Sequence, residues 1–422
     1  LNSTTKVIGG AKPFVRSSEL KRDGWLAIVE YKPTERLHTT FDAYYADFED
    51  EQRLRGIELP LQWSSASLAA NPTVENGFVT KGTFNNVEAV MRNDVNLRTA
   101  DTFGWNTEYQ LDKNWSLEAD LSTSSADRKD FGLESYSGSG RGSDVGAKDN
   151  LGFSFGNDGI VRFTPTLNYA DPNLFKLGAA LNWANGLTVP GNGQDGFINT
   201  PSIEDTLNAI RLSATRAFDD GALASVEFGM NYSEREKTKL DEGYYLTLKA
   251  YPAMLSVPGE FALAPTSLDF IGMGSMLSYD SLALYRSGAY NEVSEGLTDA
   301  GRLRNNWRVN EDVLTVYTKA NIESEFQGIP VKGNVGLQVV QTDQRSDGFA
   351  VTKSALGFVE ATAISGGDKY TEFLPSFNFG FDVAENQVVR VAAARTLARA
   401  RMDKMNAGTG YSYNPANAAN TS

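Results

Sequence analysis

The sequence predicts an all-β fold, a transmembrane antiparallel β-barrel of the up-and-down type. Five times, a run of alternating apolar and polar residues ends at a very short polar turn and restarts with the same alternation. Long irregular stretches separate these five hairpins. No apolar run approaches the roughly 18 residues that a transmembrane helix needs, so strands are expected to cross the membrane.

The clearest hairpin pairs residues 103–111 with residues 115–123 around a turn at residues 112–114. In its first arm, Phe103, Trp105, Thr107, Tyr109 and Leu111 share one face, whereas Gly104, Asn106, Glu108 and Gln110 share the other. The period of two indicates a strand and excludes an amphipathic helix. One face suits hydrocarbon and the other suits water.

The other four hairpins follow the same plan. They join residues 25–31 to 37–48, 210–218 to 222–232, 314–322 to 331–339 and 373–383 to 388–394. Their turns contain Gly, Asn, Asp or Pro, which tolerate or preset the dihedral angles of tight turns. The five hairpins together predict a segment of about ten strands.

Composition excludes several classes of protein. The net charge of −14 argues against nucleic acid as a partner, because phosphate binding needs a basic surface. The absence of cysteine removes disulfides and thiolate metal sites. The single histidine, His38, lies beside a turn and no Gly-x-Ser-x-Gly motif occurs, so neither an enzyme nor a bound cofactor is expected.

The hairpins also predict where the ends of the chain lie. Short turns usually face the periplasm and long loops the cell exterior, so the first strand would run inward and the tenth outward. Both ends would then lie outside the cell, and ten strands would leave two edges with unpaired backbone groups. Residues 1–422 are therefore expected to form an internal segment of a larger barrel.

Three segments resemble TonB-dependent receptors of the large proteobacterial subfamily typified in Xanthomonas and Caulobacter. They are LKRDGWLAIVEYKPTERLHTTFDAYYADFEDEQRLRGIELPL, VLTVYTKANIESEFQGIPVKGNVGLQVVQTDQRSDG and YTEFLPSFNFGFDVAENQVVRVAAARTLARARMDKMNAG. The resemblance covers nearly every predicted strand. Such receptors have a 22-stranded barrel, an N-terminal plug inside it and a TonB box, and the resemblance implies that the plug, the TonB box and the C-terminal strands lie outside residues 1–422.

The resemblance implies a function and a location. The expected location is the outer membrane of a Gram-negative bacterium, where lipid and lipopolysaccharide surround the barrel. The expected function is uptake of a scarce nutrient, an oligosaccharide, with energy delivered by the partner TonB. A ferric siderophore or another metal chelate is the alternative ligand. A passive porin-like channel and a soluble β-rich surface protein are the alternative functions.

A ligand site is expected in four long loops, at residues 50–98, 128–203, 238–306 and 345–368. Sugars stack their apolar face on aromatic rings and bind polar side chains through their hydroxyls. The candidate ligand-binding residues are Trp183, Tyr244, Tyr245, Tyr279 and Tyr285. The alternative is that these tyrosines only pack their loop against its neighbours.

Three smaller features complete the prediction. Residues 151–169 alternate around residues 157–159 and predict an extracellular hairpin that extends the barrel wall. Tyr31, Tyr109, Trp115 and Phe381 occupy lipid-facing positions near the short turns, as expected for an interfacial aromatic girdle. Arg216 also occupies a lipid-facing position, but it is two residues from a turn and can extend to the headgroups.

Overall fold

The computed structural model describes residues 4–62, 64–101, 107–110, 114–141, 145–179, 193–354, 358–410, 412–414 and 419–421. Antiparallel strands dominate these residues, so the predicted all-β class is confirmed. None of the helices in the described part of the chain is long or apolar enough to cross a membrane.

One large sheet contains most of the strands. Its main path consists of β1 (Phe14–Tyr31), β2 (Leu37–Glu58), β3 (Val90–Asp101), β4 (Thr107–Gln110), β5 (Trp115–Gly138), β6 (Ser202–Ala217), β7 (Leu223–Leu240), β8 (Trp307–Phe326), β9 (Ile329–Lys353), β10 (Val359–Ala384) and β11 (Gln387–Ala394). β3 and β4 both lie between β2 and β5 and together fill one position. Neighbouring strands along the path are antiparallel, which is the predicted up-and-down arrangement.

The five predicted hairpins pair as expected. Residues 102–106 and 111–113 of the second hairpin lie outside the described residues. Except for β11, which ends at Ala394 as predicted, the strands extend well beyond their predicted ends on the side opposite the short turns. The prediction of a fourth long loop at residues 345–368 is wrong, because β9 and β10 continue through most of this stretch. Their pairing runs from Lys353 opposite Val359 to Val331 opposite Phe381.

The main sheet has an apolar face and a polar face near its short turns. Cross-strand neighbours point to the same side of a sheet, so each row of paired residues belongs to one face. One row joins Leu117, Ala214 and Phe228. The next row joins Glu118, Ser213, Gly229 and Tyr317. The strand β1 departs from this separation, since Leu26 and Ile28 are exposed on its polar side.

Ion pairs cover the polar face near the short turns. Arg211 donates to Glu118 on the neighbouring strand. The Lys319 ammonium lies 2.6 Å from an oxygen of Glu227, which also accepts a hydrogen bond of 2.8 Å from the Tyr317 hydroxyl. These pairs occupy the side of the strands that the alternation assigned to water.

The apolar face carries an exposed band that ends at a belt of charged residues. On β7 the side chains on this face are apolar from Val226 to Tyr232 and become acidic at Glu234 and Glu236. Members of the apolar band with exposed side chains include Phe41, Leu117, Leu212, Phe228, Met230, Val316 and Phe373. The charged belt on the same face includes Glu51, Arg53, Asp127, Glu204, Glu234, Glu236, Arg308, Asp312, Asp343, Arg345, Asp347 and Lys369.

The long connections fold into a loop lobe beyond this belt. It is built on a five-stranded sheet of Ser67–Leu68, Thr73–Glu75, Phe78–Val87, Asp149–Phe155 and Val161–Thr164. Its apolar core includes Leu59, Phe84, Leu151, Phe153, Phe163, Met273 and Met276. Ile57 of β2 and Met91 of β3 join this core from the apolar face, so the loop lobe covers that face at the loop end.

The predicted hairpin within residues 151–169 is present, but its predicted position is wrong. Asp149–Phe155 and Val161–Thr164 pair with each other and belong to the loop lobe, not to the main sheet. Phe153 and Phe163 are each 3% exposed, because both rings lie inside the core of the lobe. Alternation alone does not show which sheet buries a hairpin.

Shorter elements complete the loop end. The strands Lys176–Leu177, Gly196–Asn199, Gly243–Leu248, Tyr290–Ser294 and Thr409–Gly410 extend the main sheet, and Ala262–Ser267 pairs with Ser275–Tyr279. The α-helices are α1 (Ser281–Arg286) and α2 (Ala300–Arg304), with 3-10 turns at Gly259–Phe261, Asp269–Ile271, Glu295–Leu297 and Met402–Lys404. Ser412–Asn414 pairs with Ala419–Thr421.

A second apolar core lies beside the loop lobe. It packs Val95 and Leu133 from the apolar face of β3 and β5 against Leu246, Tyr279 and Leu284. The helix α1 begins at the Asp280 carboxylate, which accepts a hydrogen bond of 3.0 Å from the Ala283 amide. These two cores make the loop end a packed structure.

Candidate ligand-binding surface

Two clusters of charged and aromatic residues lie on the polar face at the loop end. The first is on β3 and β5, where Arg92 stands directly opposite Tyr136. The second is centred on Arg302 of α2. Phe197 connects them, because it pairs with Glu134 on one side and with Tyr245 on the other.

In the first cluster a buried guanidinium is surrounded by carboxylates. Arg92 donates to Glu58, lies 2.9 Å from an oxygen of Asp94 and lies 2.7 Å from an oxygen of Glu134. Its guanidinium is 5.0 Å from the centre of the Tyr136 ring. Such charge-assisted hydrogen bonds fix the arginine in one orientation.

The environment shifts the pKa values of this cluster. Burial raises the pKa of Asp94 to about 7, with a further contribution from the Glu134 charge, while Arg92 opposes the shift. Burial and the same Glu134 charge raise the pKa of the Tyr136 hydroxyl. Burial disfavours the charge of Arg92, but the carboxylates of Asp94 and Glu134 outweigh it and raise the pKa of the guanidinium. Asp94 is thus the member whose protonation changes near neutral pH.

In the second cluster Arg302 binds two further carboxylates. Its guanidinium lies 2.7 Å from an oxygen of Asp241 and also donates to Glu295. It also lies over the Phe197 ring, 5.2 Å from the ring centre. The helix α2 sets the position of Arg302. The Asp299 carboxylate caps the first turn of α2 by accepting a hydrogen bond of 2.6 Å from the Gly301 amide.

Together the two clusters form a surface that we call the loop-end polar surface, made of Arg92, Asp94, Glu134, Tyr136, Phe197, Tyr245, Asp241, Glu295 and Arg302. Its accessible parts include the Glu134 side chain, which is 32% exposed, and the half-buried Tyr245 ring. The Phe197 and Tyr245 rings meet edge to face with centres 5.7 Å apart. Carboxylate oxygens beside an accessible ring can bind a ligand that has both hydroxyl groups and apolar C–H surface.

The predicted tyrosines lie in three different environments. Tyr245 lies on the loop-end polar surface. Its neighbour Tyr244 points to the opposite, apolar face, where it pairs with Ile198. Tyr279 is 1% exposed inside the second apolar core, and its hydroxyl lies 2.8 Å from that of Ser135.

Tyr285 does not join that surface either. The Tyr285 ring lies 5.8 Å from that of Phe131, on the side of Tyr244, and its hydroxyl donates to Glu292 at 2.8 Å. Burial, together with that hydrogen bond, raises the pKa of Tyr285 to about 12. Trp183 lies outside the described residues. The structure therefore places one of the predicted residues, Tyr245, beside the two charged clusters.

The prediction missed the two arginines and their carboxylates. Arg92, Asp94 and Glu134 lie within the stretches that were expected to be loops. A signal was present, because residues 94–97 alternate Asp, Val, Asn and Leu, and residues 130–134 alternate in the same way. Arg302 gives no comparable signal, since its partners Asp241 and Glu295 are brought to it by the fold.

A buried carboxylate holds the loops behind this surface. Asp195 is fully buried, forms an ion pair with Arg141 and accepts hydrogen bonds from the amides of Ala179 at 2.8 Å and Leu248 at 2.9 Å. The Arg141 guanidinium also lies 4.8 Å from the centre of the Tyr251 ring. These contacts join the connection between β5 and β6 to the connection between β7 and β8, and they support the strand that carries Tyr245.

Comparison with known proteins gave no match. Neither the protein-family models, nor the curated proteins, nor the solved structures contain a significant match to this chain.

Proposed function

We propose that this chain is part of a TonB-dependent receptor in the outer membrane of a Gram-negative bacterium, and that it takes part in energised uptake of an oligosaccharide. The proposal places the apolar band in lipid, the short turns at the periplasm and the loop lobe outside the cell. It places the polar face toward the lumen of a 22-stranded barrel. Energy would come from TonB through a plug and TonB box elsewhere in the protein.

The main support is the height of the apolar band. On β8 the apolar face is uncharged from Leu314 to Ile322, and on β10 from Phe373 to Phe381, before the charged belt begins. A transmembrane strand needs about 9 to 11 residues, and these stretches have that length. Phe228 and Val316 are 56% and 51% exposed within the band, which is costly in water and favourable in lipid.

The loop-end polar surface supports a neutral, hydroxyl-rich ligand. The charges around Arg92 nearly balance, because Glu58, Asp94 and Glu134 face Arg92 and Lys12, and burial keeps Asp94 partly protonated near neutral pH. Such a surface has no excess of positive charge to bind an anionic chelate, whereas its carboxylates accept hydrogen bonds from sugar hydroxyls. This favours an oligosaccharide over an anionic ferric siderophore.

The test begins with the complete protein that contains this chain, expressed in a Gram-negative host. We expect it in the outer-membrane fraction, soluble only with detergent. Uptake of labelled oligosaccharides and of ferric chelates is then measured with and without a protonophore. Sugar uptake that the protonophore abolishes supports the proposal, and uptake that it leaves unchanged indicates a passive channel. Preferential uptake of the ferric chelates would overturn the sugar assignment.

A further inference from the structure

A groove crosses the apolar band between β5 and β8. It has a volume of about 640 Å³ and is lined by Leu117, Ala119, Leu212, Ala214, Phe228, Met230 and Val316. Ala119 and Ala214 form its floor, because their side chains end at Cβ while the larger side chains of the neighbouring positions stand around them. A second hollow of about 320 Å³, lined in part by Leu121, Ile210 and Tyr232, continues toward the charged belt.

A cation stands at the short-turn end of this groove. Arg216 and Ala214 are on the same face of β6 and two residues apart, which places them about 7 Å from each other. The Arg216 guanidinium lies 5.5 Å from the centre of the Trp115 ring and 5.3 Å from that of Phe218. Among the described residues it has these two ring contacts and no carboxylate partner. Its hydrogen-bond donors are therefore available to an anion from outside the chain.

We propose that this groove and Arg216 bind one glycerophospholipid, with its phosphate on Arg216 and an acyl chain along the groove. An exposed apolar groove favours an apolar occupant, and a guanidinium that has no carboxylate partner among the described residues favours an anion at the membrane surface. A phospholipid supplies both groups at the required separation. The inference rests on the proposed membrane location, which places Arg216 at the level of the periplasmic headgroups.

The order of the rows explains why the site lies on these strands. The row of Trp115, Arg216 and Val226 borders the short turns, and the row of Leu117, Ala214 and Phe228 follows it toward the band centre. The headgroup of a lipid bound here would therefore lie across β5, β6 and β7, and its acyl chain would run along these strands toward the band centre. The arginine is then a binding residue, and the two rings position its guanidinium.

The test uses the complete protein in detergent and native mass spectrometry with added phosphatidylglycerol and phosphatidylethanolamine. We expect one saturable lipid per protein. Arg216→Gln should weaken binding about tenfold, as expected for loss of a charge-assisted contact. Ala214→Leu, which fills the groove, should weaken it similarly. Arg36→Gln, at another short turn, and Ala320→Leu, on the apolar face outside the groove, are the matched controls and should bind as the unmodified protein does.

Other outcomes would overturn the inference. Unchanged affinity in both Arg216→Gln and Ala214→Leu would exclude the site, as would a broad, unsaturable lipid distribution in the unmodified protein. Competition by inorganic phosphate alone would show an anion site with no acyl chain. Arg216→Lys keeps the charge and should retain part of the affinity, which separates loss of charge from misfolding. Solubility without detergent would instead refute the membrane proposal itself.

Discussion

Tyr244 and Tyr245 are adjacent in sequence but belong to opposite faces of the sheet, and this gives a matched pair of variants. Tyr245→Ala removes the ring beside Phe197 and Glu134, so we expect oligosaccharide affinity to fall about tenfold, or ~1.4 kcal/mol. Tyr244→Ala should leave affinity unchanged, because that ring faces Ile198. Isothermal titration with the purified complete protein measures both. A larger loss in Tyr244→Ala would move the binding surface to the other face.

The raised pKa of Asp94 predicts that the stability of the loop end depends on pH. Its pKa is raised by burial to about 7 in the folded protein, against a usual value of 3.8. Between these two values the folded state holds a proton that the unfolded state has lost, so stability falls as pH rises from about 4 to 7 and is level above that.

Asp94→Asn removes this titration. The stability lost between pH 5 and pH 8 should be smaller in the variant by roughly 2 kcal/mol. Hydrogen-exchange protection of β3 amides, corrected for the intrinsic rate at each pH, measures the difference. An identical pH profile in the two proteins would show that Asp94 does not titrate in this range.

At the scale of elements, the register of β5 predicts opposite effects for two adjacent substitutions. Leu117→Arg places a charge on the apolar face and should cost roughly 2 to 4 kcal/mol if the position is deep in the bilayer. Glu118→Arg, on the polar face, should cost much less, although it loses the pair with Arg211. Urea unfolding in detergent compares them, and equal costs would contradict the register.

The sequence predicted the five hairpins but not the halves of their strands that lie farther from the short turns, and the reason is physical. Near the short turns one face is apolar, so the period of two is visible. At the charged belt both faces are polar, as in the run Glu49-Asp50-Glu51-Gln52-Arg53, and the period disappears although the strand continues. The same loss of contrast made residues 345–368 resemble a loop.

The candidate site was less predictable than the strands. Tyr245 was found because aromatic loops suggest sugar binding, but its face depends on a strand, Gly243–Leu248, that the sequence did not reveal. Arg302 contacts Asp241, which is 61 residues away in the sequence, because the fold brings α2 against the main sheet. Contacts between residues distant in sequence cannot be inferred from periodicity, which reports only local structure.

At the scale of the whole molecule, the loop lobe and the apolar band are predicted to respond differently to the same substitution. Phe84 is fully buried, with its ring 5.3 Å from that of Phe153, so Phe84→Ala should cost about 3–5 kcal/mol. Phe228→Ala should cost much less, because detergent or lipid can occupy the vacated space. Urea unfolding and limited proteolysis of the lobe measure the two losses. Equal losses would mean that Phe228 packs inside protein.

The charged belt divides the apolar face of β2 and β3 into regions that meet different solvents. Below it, Phe41 faces a fluid hydrocarbon in the proposed placement, whereas above it Ile57 meets a fixed protein interior. A fluid adapts to any apolar shape, but a close-packed interior accepts only one. Over evolutionary time, the half of each strand near the short turns can therefore exchange one apolar residue for another freely. The half beyond the charged belt must change together with the loop lobe that covers it.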